Sequence, residues 1–190
     1  MVNKDNKTAL LVMDVQKWNI TDKHKDVVRH MQQAIQHARE LGQTIIWVQL
    51  AFGANYPELN PQNKFFSMIS PQSHMTKLDE QTQPHPELVP QANDYIVNKY
   101  RVSAFAGSNL ESILKAQTIN HLILSGISTS GVVLSTLTEA SDKDYQLSVL
   151  HDACFDRNAS VHDVLVHNVF PRHADVLSVG EWVAQSTKQP

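Results

Sequence analysis

The apolar positions of this chain fall into two alternating rhythms. Four near-continuous apolar runs, at residues 8–14, 44–50, 122–124 and 146–150, are short and lack the alternation of a half-exposed sheet. Runs of that kind belong to strands buried on both faces, the habit of parallel sheets. Two further stretches, 94–99 and 174–179, complete a set of six predicted strands.

Between these runs the spacing becomes helical. Val27, Val28, Met31, Ile35, Ala38 and Leu41 mark one face of an amphipathic helix, and Gly42 follows as its C-terminal cap. On that helix His30 and His37 share a face expected to be solvated. Ser108 and Glu111 form a capping-box pattern that opens a helix with Leu110, Ile113 and Leu114 inward. Val133, Leu137 and Ala140 continue the pattern from Val132, and Val161, Val164 and Leu165 give a helix over 160–168 its core face. A loop over 152–156 and a short closing helix over 180–186 complete the reading.

The segment 51–93 keeps neither rhythm. It holds six of the eight prolines and no sustained period, so it is expected to be an irregular cover over one edge of a pocket, with a short helix near 63–70. Strands alternating with helices on either side of it predict one α/β domain over 1–190, an open six-stranded parallel sheet with helices on both faces.

In such sheets ligands bind outside the carboxyl ends of the strands, near the point where strand order reverses. Asp14 and Lys99 each end a predicted strand. A third strand end is the turn after 122–124, where Gly126 breaks the run and Ser128, Thr129 and Ser130 offer helix N-caps before Val132. A turn of this kind aims backbone N–H groups and the positive end of a helix dipole at one spot, a place for a developing anion. One carboxylate, one ammonium and a set of backbone donors are therefore expected to converge.

Composition narrows the classes of partner. A length of 190 residues suits one domain with a sizeable core. A net charge of −3 without any Lys/Arg cluster argues against nucleic acid as a partner. No apolar run approaches membrane-spanning length, so no membrane is expected either. The first seven residues lack the apolar core of a signal peptide, and the lone Cys154 rules out an intrachain disulfide. Both fit a cytoplasmic location. The ten histidines form no zinc-ligand spacing, and no Gly-rich phosphate loop or dinucleotide fingerprint is present, so neither metal nor cofactor is expected. Ser128, Thr129, Ser130 and Ser135 have no His–Asp pair at a recognised spacing and read as caps or packing residues.

In order and spacing, Asp14-Val-Gln16, Lys99-Tyr-Arg101-Val-Ser103-Ala104-Phe105 and Gly126-Ile-Ser-Thr129 resemble the three motifs of the isochorismatase-like hydrolase superfamily. The resemblance runs over nearly the whole chain, from Lys7 to the closing Phe170-Pro-Arg-His-Ala-Asp-Val. It implies a six-stranded parallel sheet flanked by helices, a small-molecule substrate, and assembly as a homo-oligomer, dimer or tetramer. Most members resemble cysteine hydrolases that use an Asp, a Lys and a Cys six positions after the glycine matching Gly126. That position here is Val132, which has nothing to deprotonate and cannot form an acyl-enzyme. Cys154 lies after the next strand and reads as a small core residue. The Asp-x-His metal motif of nicotinamidases is also absent, Leu50-Ala-Phe52 standing in its place.

Isochorismatases proper are similar to this chain in carrying a non-nucleophilic residue, glycine, where Val132 stands, and a Lys-aromatic-Arg-x-Ser-Ala-Phe motif. That resemblance implies vinyl-ether hydrolysis, with Asp14 as the acid/base residue and Lys99 as a substrate-orienting cation. Gln16, Trp18, Tyr100, Arg101, Phe105, Ser128, Thr129 and Val132, in or beside the motifs, are the candidate binding residues. A general acid needs a raised pKa, which burial supplies and a nearby Lys99 opposes, so Asp14 as acid and Asp14 as base toward water both stay open. The rival expectation is a member that has lost its nucleophile and binds a metabolite or partner protein without turnover.

Overall fold

The computed structural model describes residues 7–186, so the expectation about a leader falls, apart from Lys7, outside the described residues. Six strands, β1 (Lys7–Met13), β2 (Thr44–Leu50), β3 (Tyr95–Lys99), β4 (Ile119–Ile127), β5 (Gln146–Phe155) and β6 (Asp175–Leu177), form one sheet in the order β3-β2-β1-β4-β5-β6. Every pair in it is parallel. The helices are α1 (Lys25–Glu40), α2 (Leu110–Ala116), α3 (Leu134–Asp142), α4 (Ala159–Val164) and α5 (Val179–Ser186).

Strand β1 shows why the runs are continuously apolar. Its Leu10 and Val12 point into a cluster with Met31, Ala34, Ile35 and Ala38 of α1 and Trp182 of α5. Its Ala9, Leu11 and Met13 point the other way, toward Leu114 of α2, Leu137 and Ala140 of α3 and Phe170. Each face of the strand has a helical layer, so no position is left for a polar residue.

Several boundaries differ from the expectation, each for a local reason. Gly126 does not end its strand. β4 runs through it to Ile127, with a register shift between Leu124 and Gly126. Gly126 has φ +155°, and a Cβ there would stand 2.6 Å from the Met13 carbonyl oxygen, so only glycine lets β4 pass this close to the end of β1. β5 likewise continues through the expected loop to Phe155, which sets Cys154 beside Gly126. Val161 and Val164, expected inward, are 37% and 54% exposed, whereas Leu165, Val166 and Phe170 are buried. After Val164 the helix widens into a π-type turn, Leu165–Val169, and the wider turn rotates the apolar stripe.

Ser108 forms no capping box. Its hydroxyl accepts from the Leu110 N–H and donates to the Ala104 carbonyl, while Glu111 pairs with Lys115 and Lys143 at 2.7 and 2.9 Å. His37 is buried edge-on against Trp182 at 4.9 Å rather than solvated, because α5 packs across that part of α1.

The segment 51–93 is irregular, as expected, but the short helix near 63–70 is not there. Asn60 and Asn63 accept from the N–H groups two residues on, which favours turns over a helix. Short 3₁₀ turns instead occupy Pro71–Ser73 and Glu80–Thr82. The segment is fastened to the strand ends. Gln16 bridges Pro84, Trp18 N–H donates to the Gln81 carbonyl at 3.1 Å, and His85 N–H donates to the Val15 carbonyl at 3.0 Å. Beneath it Leu50, Phe52, Tyr56, Phe66 and Met75 form a separate small core. Among the described residues no helix is long and apolar enough to cross a membrane.

Candidate active site

The strand order reverses between β1 and β4, and both elements end at the candidate site. Asp14 follows β1 in the left-handed region, with φ 57°. Its N–H donates to the Val48 carbonyl at 2.9 Å, and its carbonyl accepts from Asn19 Nδ2 at 3.0 Å. Asparagine and aspartate tolerate this conformation better than other side chains, yet it still costs about 1 kcal/mol or more and persists only where neighbours enforce it.

Lys99 ends β3, two strands away, and its side chain reaches across to Asp14. Its Nζ lies 3.0 Å from Asp14 Oδ2 and donates to the Arg101 carbonyl at 3.0 Å. The two residues are 6% and 1% exposed. Asp14 Oδ1 is buried without any protein partner.

These contacts set burial against the ion pair at Asp14. Burial pushes the Asp14 carboxyl above its ordinary range, and the charge and hydrogen bond of Lys99 pull it down. Burial is the larger effect, so the carboxyl holds its proton to a higher pH than a solvated one.

The turn after β4 differs from a simple helix start. From Ser128 the chain enters a π-type turn, Thr129–Val133, that leads into α3. Several of its backbone donors already have acceptors. Ser130 N–H donates to Asp156 Oδ2 at 2.8 Å, and the N–H groups of Gly131 and Val133 both donate to the Ser128 carbonyl at 3.2 Å. Thr129 is fully buried, and its hydroxyl lies 2.8 Å from His162 Nδ1, whose ring burial holds below its ordinary pKa. No spacing in the sequence links this threonine to a histidine, because His162 lies 33 residues on and meets it only through the packing of α4.

Val132 is 2% exposed and belongs to the same core cluster as Met13, Ala104, Phe105 and Cys154. Cys154 is buried, and burial pushes its thiol up to about 12. A thiol at that value carries almost no thiolate at neutral pH, which agrees with its reading as a core residue.

The other candidate residues take different places. Gln16 is completely buried and its amide is spent on backbone: Nε2 donates to the Leu50 and Thr82 carbonyls at 3.0 and 2.7 Å, and Oε1 accepts from Leu50 N–H at 2.9 Å. It fastens the cover to β2 rather than facing a ligand. Arg101 Nη1 donates to the Glu58 and Tyr100 carbonyls at 3.0 and 2.6 Å. Tyr100 accepts from Lys77 Nζ at 2.9 Å and packs, like Trp18, against the small aromatic core. The Trp18 indole N–H is buried without a partner. Phe105 is a buried core residue, and Ser128 is half-buried at the mouth of the turn.

Three residues with a part in the site carry no pattern in the sequence: Asn19, Asp156 and His162. A groove of about 580 Å³ runs between α1 and α5, and another of about 790 Å³ lies beside residues 57–61, Tyr100, Arg101 and Gly107. Neither is lined by Asp14, Lys99 or Val132. Among the described residues no group of three or more His, Cys, Asp or Glu side chains could hold a metal ion.

Known proteins with this arrangement are numerous. The Isochorismatase domain family matches residues 8–181. The ureidoacrylate amidohydrolase RutB of Cronobacter sakazakii is 32% identical over 139 residues, covering 67% of this chain and 60% of the relative. The chain thus spans about 60% of the length of that curated relative. A cysteine hydrolase of Pseudomonas syringae pv. phaseolicola superposes with a TM-score of 0.87 at 19% identity, over 97% of this chain and 94% of its own, a likeness of fold. N-carbamoylsarcosine amidase of Thermoplasma acidophilum superposes with a TM-score of 0.76 at 25% identity, over 91% of this chain and 96% of its own. With the family matched from the first strand into the last helix, and Asp14, Lys99 and the turn at three strand ends of one parallel sheet, the chain belongs to the isochorismatase family.

Proposed function

We propose that this protein is a small-molecule hydrolase that works without a cysteine nucleophile, using the Asp14 carboxyl as its acid and Lys99 to orient the substrate. The observation that carries this reading is the state of Asp14: buried, raised in pKa despite a lysine at 3.0 Å, and with Oδ1 free of any protein partner. A carboxyl that burial makes hold its proton above the ordinary carboxylate range can deliver that proton to carbon. The substrate class that uses such a proton is a vinyl ether. Asp14 protonates the alkene carbon, the ether oxygen stabilises the resulting oxocarbenium ion, and water adds to that ion. The Asp14 carboxylate takes up the proton that the water releases, and the hemiketal collapses to a ketone and an alcohol. No bond to the protein forms, so a valine at position 132 is no obstacle. The unpartnered Trp18 N–H supplies a donor for an acceptor oxygen on the ligand. The active species is a dimer or tetramer acting on a soluble metabolite in the cytoplasm, with no nucleic acid or membrane as partner.

A second reading, binding of a metabolite or protein without turnover, draws on the closure of the site, where Asp14, Lys99 and Val132 are all nearly inaccessible. The separating experiment incubates wild type and Asp14→Asn with isochorismate, the vinyl ether for which the family is named, other enol ethers, and the carbamoyl compounds named for the relatives. Turnover of an enol ether, reduced by about two to four orders of magnitude in folded Asp14→Asn, is the expected result. Full activity in Asp14→Asn sinks the assignment of the acid, and tight binding without turnover supports the second reading.

A further inference from the structure

Asn19 sits between the two halves of the site. Its Nδ2 lies 3.0 Å from the Asp14 carbonyl and 2.9 Å from the Ile127 carbonyl. Carbonyl oxygens only accept, so the group facing both must be the NH₂ and not the amide oxygen, and each hydrogen has one acceptor. One acceptor belongs to the candidate acid, at the end of β1. The other belongs to the last residue of β4, directly before the turn that leads to Val132.

The approach of the two strands is already tight here, since Gly126 leaves no room for a Cβ against Met13. Gly126 sets how near the strands come, and Asn19 joins the residues just past that contact. Asn19 is itself held: its N–H donates to the Gln16 carbonyl at 2.9 Å, and Gln16 is fixed by three hydrogen bonds to β2 and the cover. A half-buried asparagine five residues after an aspartate would otherwise pass as a turn residue. Spending one amide across elements 108 residues apart makes it a strut.

We propose that Asn19 is a positioning residue of the active site, whose NH₂ fixes the Asp14 backbone in its left-handed conformation and sets the carboxyl against Lys99 and the β4 turn. The inference rests on the reading of Asp14 as the acid. Asp14 N–H is anchored on Val48 and its carbonyl on Asn19, and in the backbone conformation so held the carboxyl meets Lys99. Without the amide, φ is free to return to the ordinary region, which turns the carboxyl out of its buried place toward water. Asn19 touches no reacting atom in this scheme; it acts through Asp14.

The test follows the Asp14 carboxyl itself, so it needs no substrate. Protein with 13Cγ-labelled aspartate is titrated by NMR, and the Asp14 resonance is assigned by its absence in Asp14→Asn. The charged side chain facing Asp14 is Lys99. In wild type the midpoint lies above the ordinary carboxylate range. In Asn19→Ala it falls by about one pH unit or more as burial is lost, a shift of roughly 1.4 kcal/mol in the protonation equilibrium. Asn19→Gln keeps the amide chemistry and displaces it by one methylene, so its midpoint falls as well, and it carries the test if Asn19→Ala does not fold. A midpoint unchanged or raised in the folded variants, with only thermal stability reduced, overturns the inference and leaves Asn19 a structural residue. A wild-type midpoint in the ordinary range overturns the reading of Asp14 itself, so the two failures are distinguishable.

Discussion

Replacing Lys99 by methionine removes a buried charge while keeping most of the side chain's volume. The ammonium is 1% exposed and makes two contacts, one to Asp14 Oδ2 and one to the Arg101 carbonyl, each of 3.0 Å. Removing one member of a buried ion pair strands the other, at a cost of about 3–5 kcal/mol. The cost depends on pH, and its sign follows from the direction of the Asp14 shift. The folded protein binds the Asp14 proton more tightly than the unfolded chain, whose carboxyl titrates near 3.8. Between that value and the raised folded one, stability therefore falls as pH rises. Lys99 opposes the shift in two ways, by charge and by hydrogen bond, so in Lys99→Met the folded pKa climbs further and the window of falling stability extends upward. Where Asp14 is protonated no charge is stranded. What remains is the unsatisfied Arg101 carbonyl and some packing, about 1–3 kcal/mol.

The expected result is a penalty that grows from pH 5 to pH 8, toward the roughly 3–5 kcal/mol of a stranded charge. For a chain of this size that corresponds to a Tm lowered by roughly 6–20 °C at the higher pH. Urea titrations followed by tryptophan fluorescence at the two pH values, wild type against variant, give the comparison directly. Equal penalties at both values, or a larger one at pH 5, would refute the claim that Lys99 serves mainly to compensate a buried carboxyl.

Two other variants probe the turn. Although position 132 is buried like Cys154, Val132→Cys is expected to react with iodoacetamide at neutral pH faster than Cys154, whose thiol burial pushes up to about 12, because the Lys99 ammonium favours a thiolate at the site. Adding Lys99→Ala should slow the reaction, and a thiol at 132 as inert as Cys154, by mass-spectrometric labelling kinetics, would mean that the turn does not open toward the site. Gly126→Ala places a methyl 2.6 Å from the Met13 carbonyl oxygen at φ +155°, and should cost roughly 2–5 kcal/mol through overpacking and backbone strain. Calorimetry that finds its Tm within 1–2 °C of wild type would show that the two strands separate more easily than this contact implies.

The sheet was legible because its strands are buried on both faces, so Leu10 and Leu11 could be apolar in succession and mark β1 without ambiguity. Asp14 and Lys99 were legible for the same reason, as the first charged residues after apolar or mixed runs that end at the ligand side of such sheets. What stayed hidden depends on contacts that no periodicity records. The inward face of the helix after β5 was misplaced because a π-type turn changes the residue count per turn, and propensity carries no sign of it. Gln16, two residues after Asp14, looked like a ligand-binding residue, and only the path of the cover shows that its amide is spent on Leu50 and Thr82. Asn19 and His162 share this character, since each acts on a residue more than 30 positions away.

The strand order also dictates when the site can exist during folding. β1, α1 and β2 are contiguous and can assemble from local contacts, but β4 reaches β1 only by closing a loop of more than a hundred residues, as in the hydrogen bond from Ser125 to the Leu11 carbonyl across 114 positions. Closure of a loop that long carries an entropic cost that grows with the logarithm of its length, and pairings of high sequence separation form slowly. The Asp14 carboxyl and the turn before Val132 lie on opposite sides of that closure. A chain halted before β4 keeps Asp14 without the turn, so the half-built sheet holds only one side of the candidate site.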